Sequence, residues 1–443
     1  MAENDEVQPL DSVNGQQKVK LVAQSEDISL RPQRKLGRDI AGYYESAQWT
    51  ADGTTVLTSD SSDTVSAFVL PPDLLEDRAD PLALFPQVSI PLGETSNVLA
   101  SAPYFSLSEA YTNQVLVSSR DHPIQLYYLF PATSSSSDDD DGAHKPLHSP
   151  AASYPLIKAR SETFLTASSL LWPSPGSHFI AGCKNFLARF DVTRSGEEPL
   201  LRLKTIPSER HLSKGGGVGM RGTISTLSAQ PSEQGAAAGL VAAGTWTRWI
   251  GLYDFAQAGE CVATWGIDSA TKETASQDHE GVGGDGITQT CWSPCGRYLL
   301  VSERKSRGIL VYDVRVTGQL LGWLEGRDAL SNQRITLDVF PSQDGVGFEV
   351  WSGTTSGSVK VWEGVGLATG AQQPSWEWQA QDSNVGSTCL HPTGTVIATC
   401  SGSWEFPVAN FESAEEGKAE NNTFDNGWLQ RGAKESTVKI WSM

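Results

Sequence analysis

The chain has 443 residues and a net charge of −19, from 33 Lys+Arg and 52 Asp+Glu, which excludes a generally basic nucleic-acid coat. Glycine (42), proline (23) and tryptophan (14) against three methionines point to a turn-rich, aromatic β protein rather than a helical one. No apolar run approaches the ~20 residues of a membrane-spanning helix, and the acidic start Met1–Glu6 reads as neither secretory signal nor transit peptide.

In chain order, residues 1–17 read as a disordered acidic tail. Residues 18–24 alternate apolar and polar as a strand does. One pattern then recurs: an apolar strand, a Pro/Gly turn, a second strand, a small-polar turn, and a third strand carrying an aromatic. The third-strand aromatics are Phe68, Tyr127, Phe190, Tyr253, Tyr312, Trp362 and Trp441. The clearest copy runs from Ile287 through Trp292-Ser-Pro-Cys-Gly296 to Tyr312-Asp313. The aromatics lie 50 to 79 residues apart, more than the ~40–45 of a compact WD-type repeat. Polar inserts at 133–153, 207–219, 268–285 and 403–434 account for the excess. Seven such units predict an all-β, seven-bladed WD-repeat-type β-propeller over 18–443. The seventh unit ends at its third strand, so 18–24 is expected to supply its fourth and close the ring.

Charge is uneven. The tail, the insert at 133–153 and those at 268–285 and 403–434 hold nineteen of the 52 acids but five of the 33 bases. The remaining chain is close to neutral and is free to present a basic face.

Motifs for catalysis or cofactors are absent. Residues 217–222 and 281–286 each match G-x-G-x-x-G, but neither follows a predicted strand or opens a helix, so neither aims amides at a pyrophosphate. There is no P-loop lysine, zincin helix or nucleophile elbow. The seven histidines are scattered, and His144 and His148 beside Asp138–Asp141 read as a solvated loop. The six cysteines form no C-x-x-C pair and read as reduced thiols buried in strands. No enzyme activity, cofactor or metal is expected.

A basic face emerges when the units are superposed. The turn between second and third strands lies on one rim, together with the connection into the next blade. Arg120 occupies that turn in the second unit, Lys184 in the third, Trp246 and Arg248 in the fourth, and Arg304 and Lys305 in the fifth. Arg221 precedes the fourth unit; Arg327, Asn332, Gln333 and Arg334 precede the sixth. Cations for phosphates and an aromatic for an unstacked base are what single-stranded RNA recognition needs. In this reading the bases position RNA, Asn332 and Gln333 read base edges, and Trp246 stacks.

Several motifs are more specific than propeller strands. They include Ser118-Ser-Arg-Asp-His-Pro-Ile124, Arg248-Trp-Ile-Gly-Leu-Tyr253, Asn332-Gln-Arg-Ile335, and Ala398-Thr-Cys-Ser-Gly402 with Phe406-Pro407. In this order, over residues 40–407, they resemble the WD-repeat telomerase Cajal body protein family. The resemblance implies a nuclear propeller that binds small nuclear or guide RNAs through a short loop motif. It also implies help in delivering the ribonucleoprotein particle to a nuclear body; some members of the broader family are tied to splicing particles. Arg120, Arg248, Arg304, Lys305, Asn332, Gln333 and Arg334 match the family's motifs and fall on the derived rim. The departures are the long inserts and a third-unit turn, Cys183-Lys184-Asn185, without arginine. The expected partners are therefore small RNA and particle proteins, with no membrane, and the chain is expected to be a monomer. The alternative is a protein–protein scaffold, the commonest use of a propeller.

Overall fold

The computed structural model describes residues 19–30, 32–35, 38–131, 148–158, 160–206, 219–231, 239–275, 281–342, 345–403 and 435–443. The expected tail at 1–17 lies outside these residues, as do 133–147, 207–218 and 404–434 of the inserts and 276–280 of another.

Seven antiparallel sheets follow one another along the chain and form the blades of a β-propeller. Blade 1 is Tyr44–Trp49, Thr55–Asp60, Thr64–Val69 and Val88–Pro91; blade 4 is Ile224–Ala229, Leu240–Thr245, Trp249–Asp254 and Glu260–Gly266. Blade 5 begins at Ile287–Trp292 and blade 6 at Leu337–Pro341. In blade 2 the outer strand, Ala152–Tyr154, begins inside the segment expected to be insert.

Local chemistry explains the repeat. Val, Ile, Leu and Thr fill second strands such as Val396–Ser401 and Tyr298–Glu303, which are buried on both faces between neighbouring blades. An aspartate ends several third strands and turns the chain: Asp191, Asp254 and Asp313 each accept a backbone N–H two residues on. The turn after the first strand of blade 5 closes on Ser293, whose Oγ accepts from Tyr298 N, with Gly296 at φ 67°.

All seven third-strand aromatics are buried. Outer-strand aromatics reach forward to meet them in the next blade. Tyr154 meets Phe190 at 6.0 Å, Trp265 meets Tyr312 at 5.8 Å, and Trp378 meets Trp441 at 6.2 Å between ring centroids. Such pairs add roughly 0.5–1.5 kcal/mol beyond area burial, and here they link blades that share no backbone ladder.

The ring is closed by the N-terminal strand. Lys20–Ser25 pairs antiparallel with Val438–Ser442 and completes blade 7, from Lys20 opposite Ser442 to Gln24 opposite Lys439. Two additions were not legible in the sequence. Leu82–Leu84 runs parallel to this closing strand, and Gly370–Gln372 runs parallel to Leu320–Leu324, so each covers an outer edge of a sheet. Not every thiol is buried as expected: Cys261 and Cys295 are exposed.

Candidate nucleic-acid interface

The turns between second and third strands and the connections between blades share one face. Hydrogen bonds tie them into a continuous arc. Asn185 N donates to Gly222 O, and Gly222 N donates to Asn185 Oδ1 at 2.7 Å. Trp246 N donates to Thr223 O, Arg304 N to Gly286 O, and Lys305 N to Ser331 O. Residues 120, 184, 221, 246, 248, 304, 305 and 332 thus lie along one rim from blade 2 to the connection into blade 6.

In each of blades 1 to 6 one residue of this turn has positive φ: Asp63, Asp121, Asn185, Arg248, Lys305 and Gly357. Asp, Asn and Gly suit that conformation. A long side chain does not, at a cost of roughly 1–2 kcal/mol, yet blades 4 and 5 carry Arg248 at φ 62° and Lys305 at φ 51°.

The segment 281–286 packs between these two turns. A Cβ on Gly284 would sit 2.2 Å from Arg304 O, and one on Gly286, at φ 151°, would sit 2.5 Å from Trp246 O. Its glycines therefore serve close backbone approach.

The predicted residues divide into two groups. Arg120, Lys184, Lys305 and Asn332 are exposed, and Arg221 is half-buried. Trp246 is 43% exposed. Arg304 donates to Asp285 O, and Lys305 Nζ lies 3.0 Å from Asp285 Oδ2. That hydrogen bond and charge hold the Asp285 carboxyl below its ordinary range. An exposed pair of this kind is weak and exchanges readily for a stronger anion.

Arg248, Gln333 and Arg334 lie set back from the exposed part of the rim. Arg248 is 16% exposed and grips Glu303, 1% exposed, through Nε–Oε1 at 2.7 Å and Nη2–Oε2 at 3.0 Å. It also reaches Asp268 Oδ1 and Thr271 Oγ1. Burial opposes its charge, but the hydrogen bonds and charges of Glu303 and Asp268 more than offset this, and its pKa is raised. Gln333 uses both ends of its amide, donating to Gly402 O and accepting from Asn384 Nδ2, and so stitches two connections to the end of the second strand of blade 7. Arg334 turns inward, where Nη2 donates to Ser225 O at 3.1 Å, and burial pulls its pKa down. Arg327, expected on the rim, is buried against Ser352 Oγ and Ile335 O, and desolvation pushes its pKa down to about 10.

Sequence reasoning gave no role to Glu303 or Asp285, the carboxylates that set the rim cations. Glu303 pairs with Arg248 of the neighbouring blade, and Asp285 meets Arg304 and Lys305 only once the strands of blade 5 are folded together, so neither pairing has a local signature.

Telomerase Cajal body protein 1 of Rattus norvegicus is 27% identical over 382 residues, covering 85% of this chain and 62% of the relative. The Homo sapiens protein of that name is 26% identical, covering 85% of this chain and 60% of its own. The chain is similar over most of its length to the telomerase Cajal body proteins. It spans about three fifths of the length of these curated relatives. Guanine nucleotide-binding protein negative regulator 1 of Schizosaccharomyces pombe is 24% identical, over 90% of this chain and 88% of its own length. No protein-family model matches the chain. The likeness to the telomerase Cajal body proteins spans most of the propeller, including the blades that carry the basic arc.

Proposed function

We propose that this propeller is a non-enzymatic nuclear protein that binds a small RNA of guide type, or its ribonucleoprotein particle. On this reading it aids the particle's assembly or its placement in a nuclear body. One observation carries the reading. Arg120, Lys184, Arg304 and Lys305 stand in corresponding turns of blades 2, 3 and 5 and flank the exposed Trp246 of blade 4. Phosphates bind along the cations, a splayed base stacks on Trp246, and Asn332 hydrogen-bonds a base edge. Arg221 adds a further cation beside blade 4. Arg248 and Gln333 are positioning residues for the rim: they hold turns and connections rather than phosphates. The names of the relatives support particle association. Telomerase RNA and a splicing-related small nuclear RNA are the two ligand classes the reading admits.

The test is ultraviolet crosslinking in native cells followed by sequencing of attached RNA. A narrow set of small nuclear or guide RNAs sharing a short loop motif is expected. Background recovery from intact nuclear protein would overturn the reading. The Schizosaccharomyces pombe relative, named as a regulator of a guanine nucleotide-binding protein, favours a second reading in which the same face docks a protein. Affinity purification that recovers a stoichiometric protein and no RNA would select it.

A further inference from the structure

The first strands of blades 1, 2, 5, 6 and 7 surround a cavity of about 450 Å³ on the propeller axis. Gln333 and Arg334 form part of its wall and follow Asn332 on the rim, so the cavity begins at the inner edge of the basic arc. Its lining is chemically uneven. Arg334 enters from the connection into blade 6, and Nη2 donates to Ser225 O; its other N–H groups have no partner among the described residues. Glu45 lines the cavity from blade 1 and acts electrostatically on Arg334. Val98 and Leu99 add an apolar wall from blade 2. Gln48 Nε2 and Thr388 Oγ1, on two further lining residues, are buried without a hydrogen-bond partner. Unmet buried polar groups are costly and mark a site that something else completes.

We propose that this cavity receives a single guanine base, held between the Arg334 guanidinium and the Glu45 carboxylate against the Val98–Leu99 wall. The volume suits one planar bicyclic ligand with a few convergent polar groups. Guanine offers two adjacent acceptors, O6 and N7, to one guanidinium; cytosine offers O2 and N3 in the same way but has only its N4 amino group to donate. Guanine's neighbouring Watson–Crick edge offers two donors, N1–H and N2–H, and the Glu45 carboxylate, which also accepts from Tyr43 Oη at 3.4 Å, has lone pairs for both. Adenine would turn its N6 amino group against Arg334, and a pyrimidine has no N7. This inference rests on the RNA reading of the rim, with a base from the bound strand turned into the channel mouth. Free guanine nucleotide has the same chemistry and is distinguished in the test.

The experiment uses the intact chain and fluorescence anisotropy with short oligouridine RNAs. One strand is all uridine, one carries a single guanosine, and one carries 7-deazaguanosine at that place. Guanosine monophosphate and adenosine monophosphate are titrated separately. The single guanosine is expected to tighten binding about tenfold. The gain is expected to vanish with 7-deazaguanosine and in Arg334→Met. Should Arg334→Met fail to fold, the modified RNA on the unaltered protein still removes the same contact. Equal affinity for all three RNAs overturns the pocket and leaves the rim standing. No binding of any RNA, with tight binding of guanosine monophosphate over adenosine monophosphate, supports the pocket and overturns the RNA reading. No binding of any probe overturns both.

Discussion

Arg248 at the turn of blade 4 makes a two-pronged ion pair with Glu303 at the end of the second strand of blade 5. Gly284 N also donates to Glu303 Oε2, at 2.9 Å. One carboxylate therefore fixes a strained turn, the neighbouring blade and the glycine-rich connection between them. The pair sets where Trp246, Arg304 and Lys305 stand on the rim.

Removing one partner leaves the other charge poorly matched in a dry site. Arg248→Met is expected to lower stability by about 3 kcal/mol, measured by urea unfolding. Arg248→Met with Glu303→Gln is expected to recover part of that loss, because no lone buried carboxylate remains. A single variant as stable as the parent would show that the pair does not organise the rim.

Lys184→Glu and Lys305→Glu alter exposed side chains. Each is expected to weaken RNA binding and to reduce the slope of log affinity against log salt by about one. Thermal midpoints are expected to stay within the change produced by ~0.5 kcal/mol. Trp246→Ala is expected to lose about 1–3 kcal/mol of binding with little change in salt slope, since stacking releases no counterions. Filter binding across a salt series separates the two kinds of loss.

Deleting residues 1–25 removes the closing strand and bares Val438–Ser442 and Leu82–Leu84 together. An unpaired strand edge recruits another chain. The truncated protein is expected to melt lower than the parent and to self-associate, read by sedimentation velocity and calorimetry.

Asp338 lies half-buried against the axial cavity, where its carboxylate accepts from Val339 N and Leu390 N. Burial raises its pKa to about 6, against the opposing pull of those two bonds. A raised folded value means that the folded state holds the proton more tightly than the unfolded one. The contribution to stability is therefore full below about pH 4 and is lost as pH rises through about 6, on the order of 2 kcal/mol in all. The difference in unfolding free energy between the parent and Asp338→Asn is expected to fall across pH 4–7. A difference independent of pH would rule this out.

The sequence by itself determined the blade count, the aromatic register and the closure. Each is written in consecutive residues: alternation in strands, an aromatic followed by aspartate in Phe190-Asp191, Tyr253-Asp254 and Tyr312-Asp313, and Gly or Pro in the turns. It also determined that Arg120, Lys184, Trp246, Arg304, Lys305 and Asn332 share one rim, because superposed repeats share their loops. The tertiary structure decided what each cation does there. Arg248 and Glu303 are 55 residues apart, as the hydrogen bond between them spans, and Arg334 meets Ser225 across 109. No local pattern encodes such contacts; they exist only once neighbouring blades are packed. The same packing turned Arg327 and Arg334 inward, where desolvation lowers the pKa of each guanidinium, and opened the axial cavity between first strands that are individually unremarkable in sequence. A repeat is legible because short-range propensity writes it. The division of its polar residues into structural and ligand-facing sets depends on desolvation and on partners brought in from distant units.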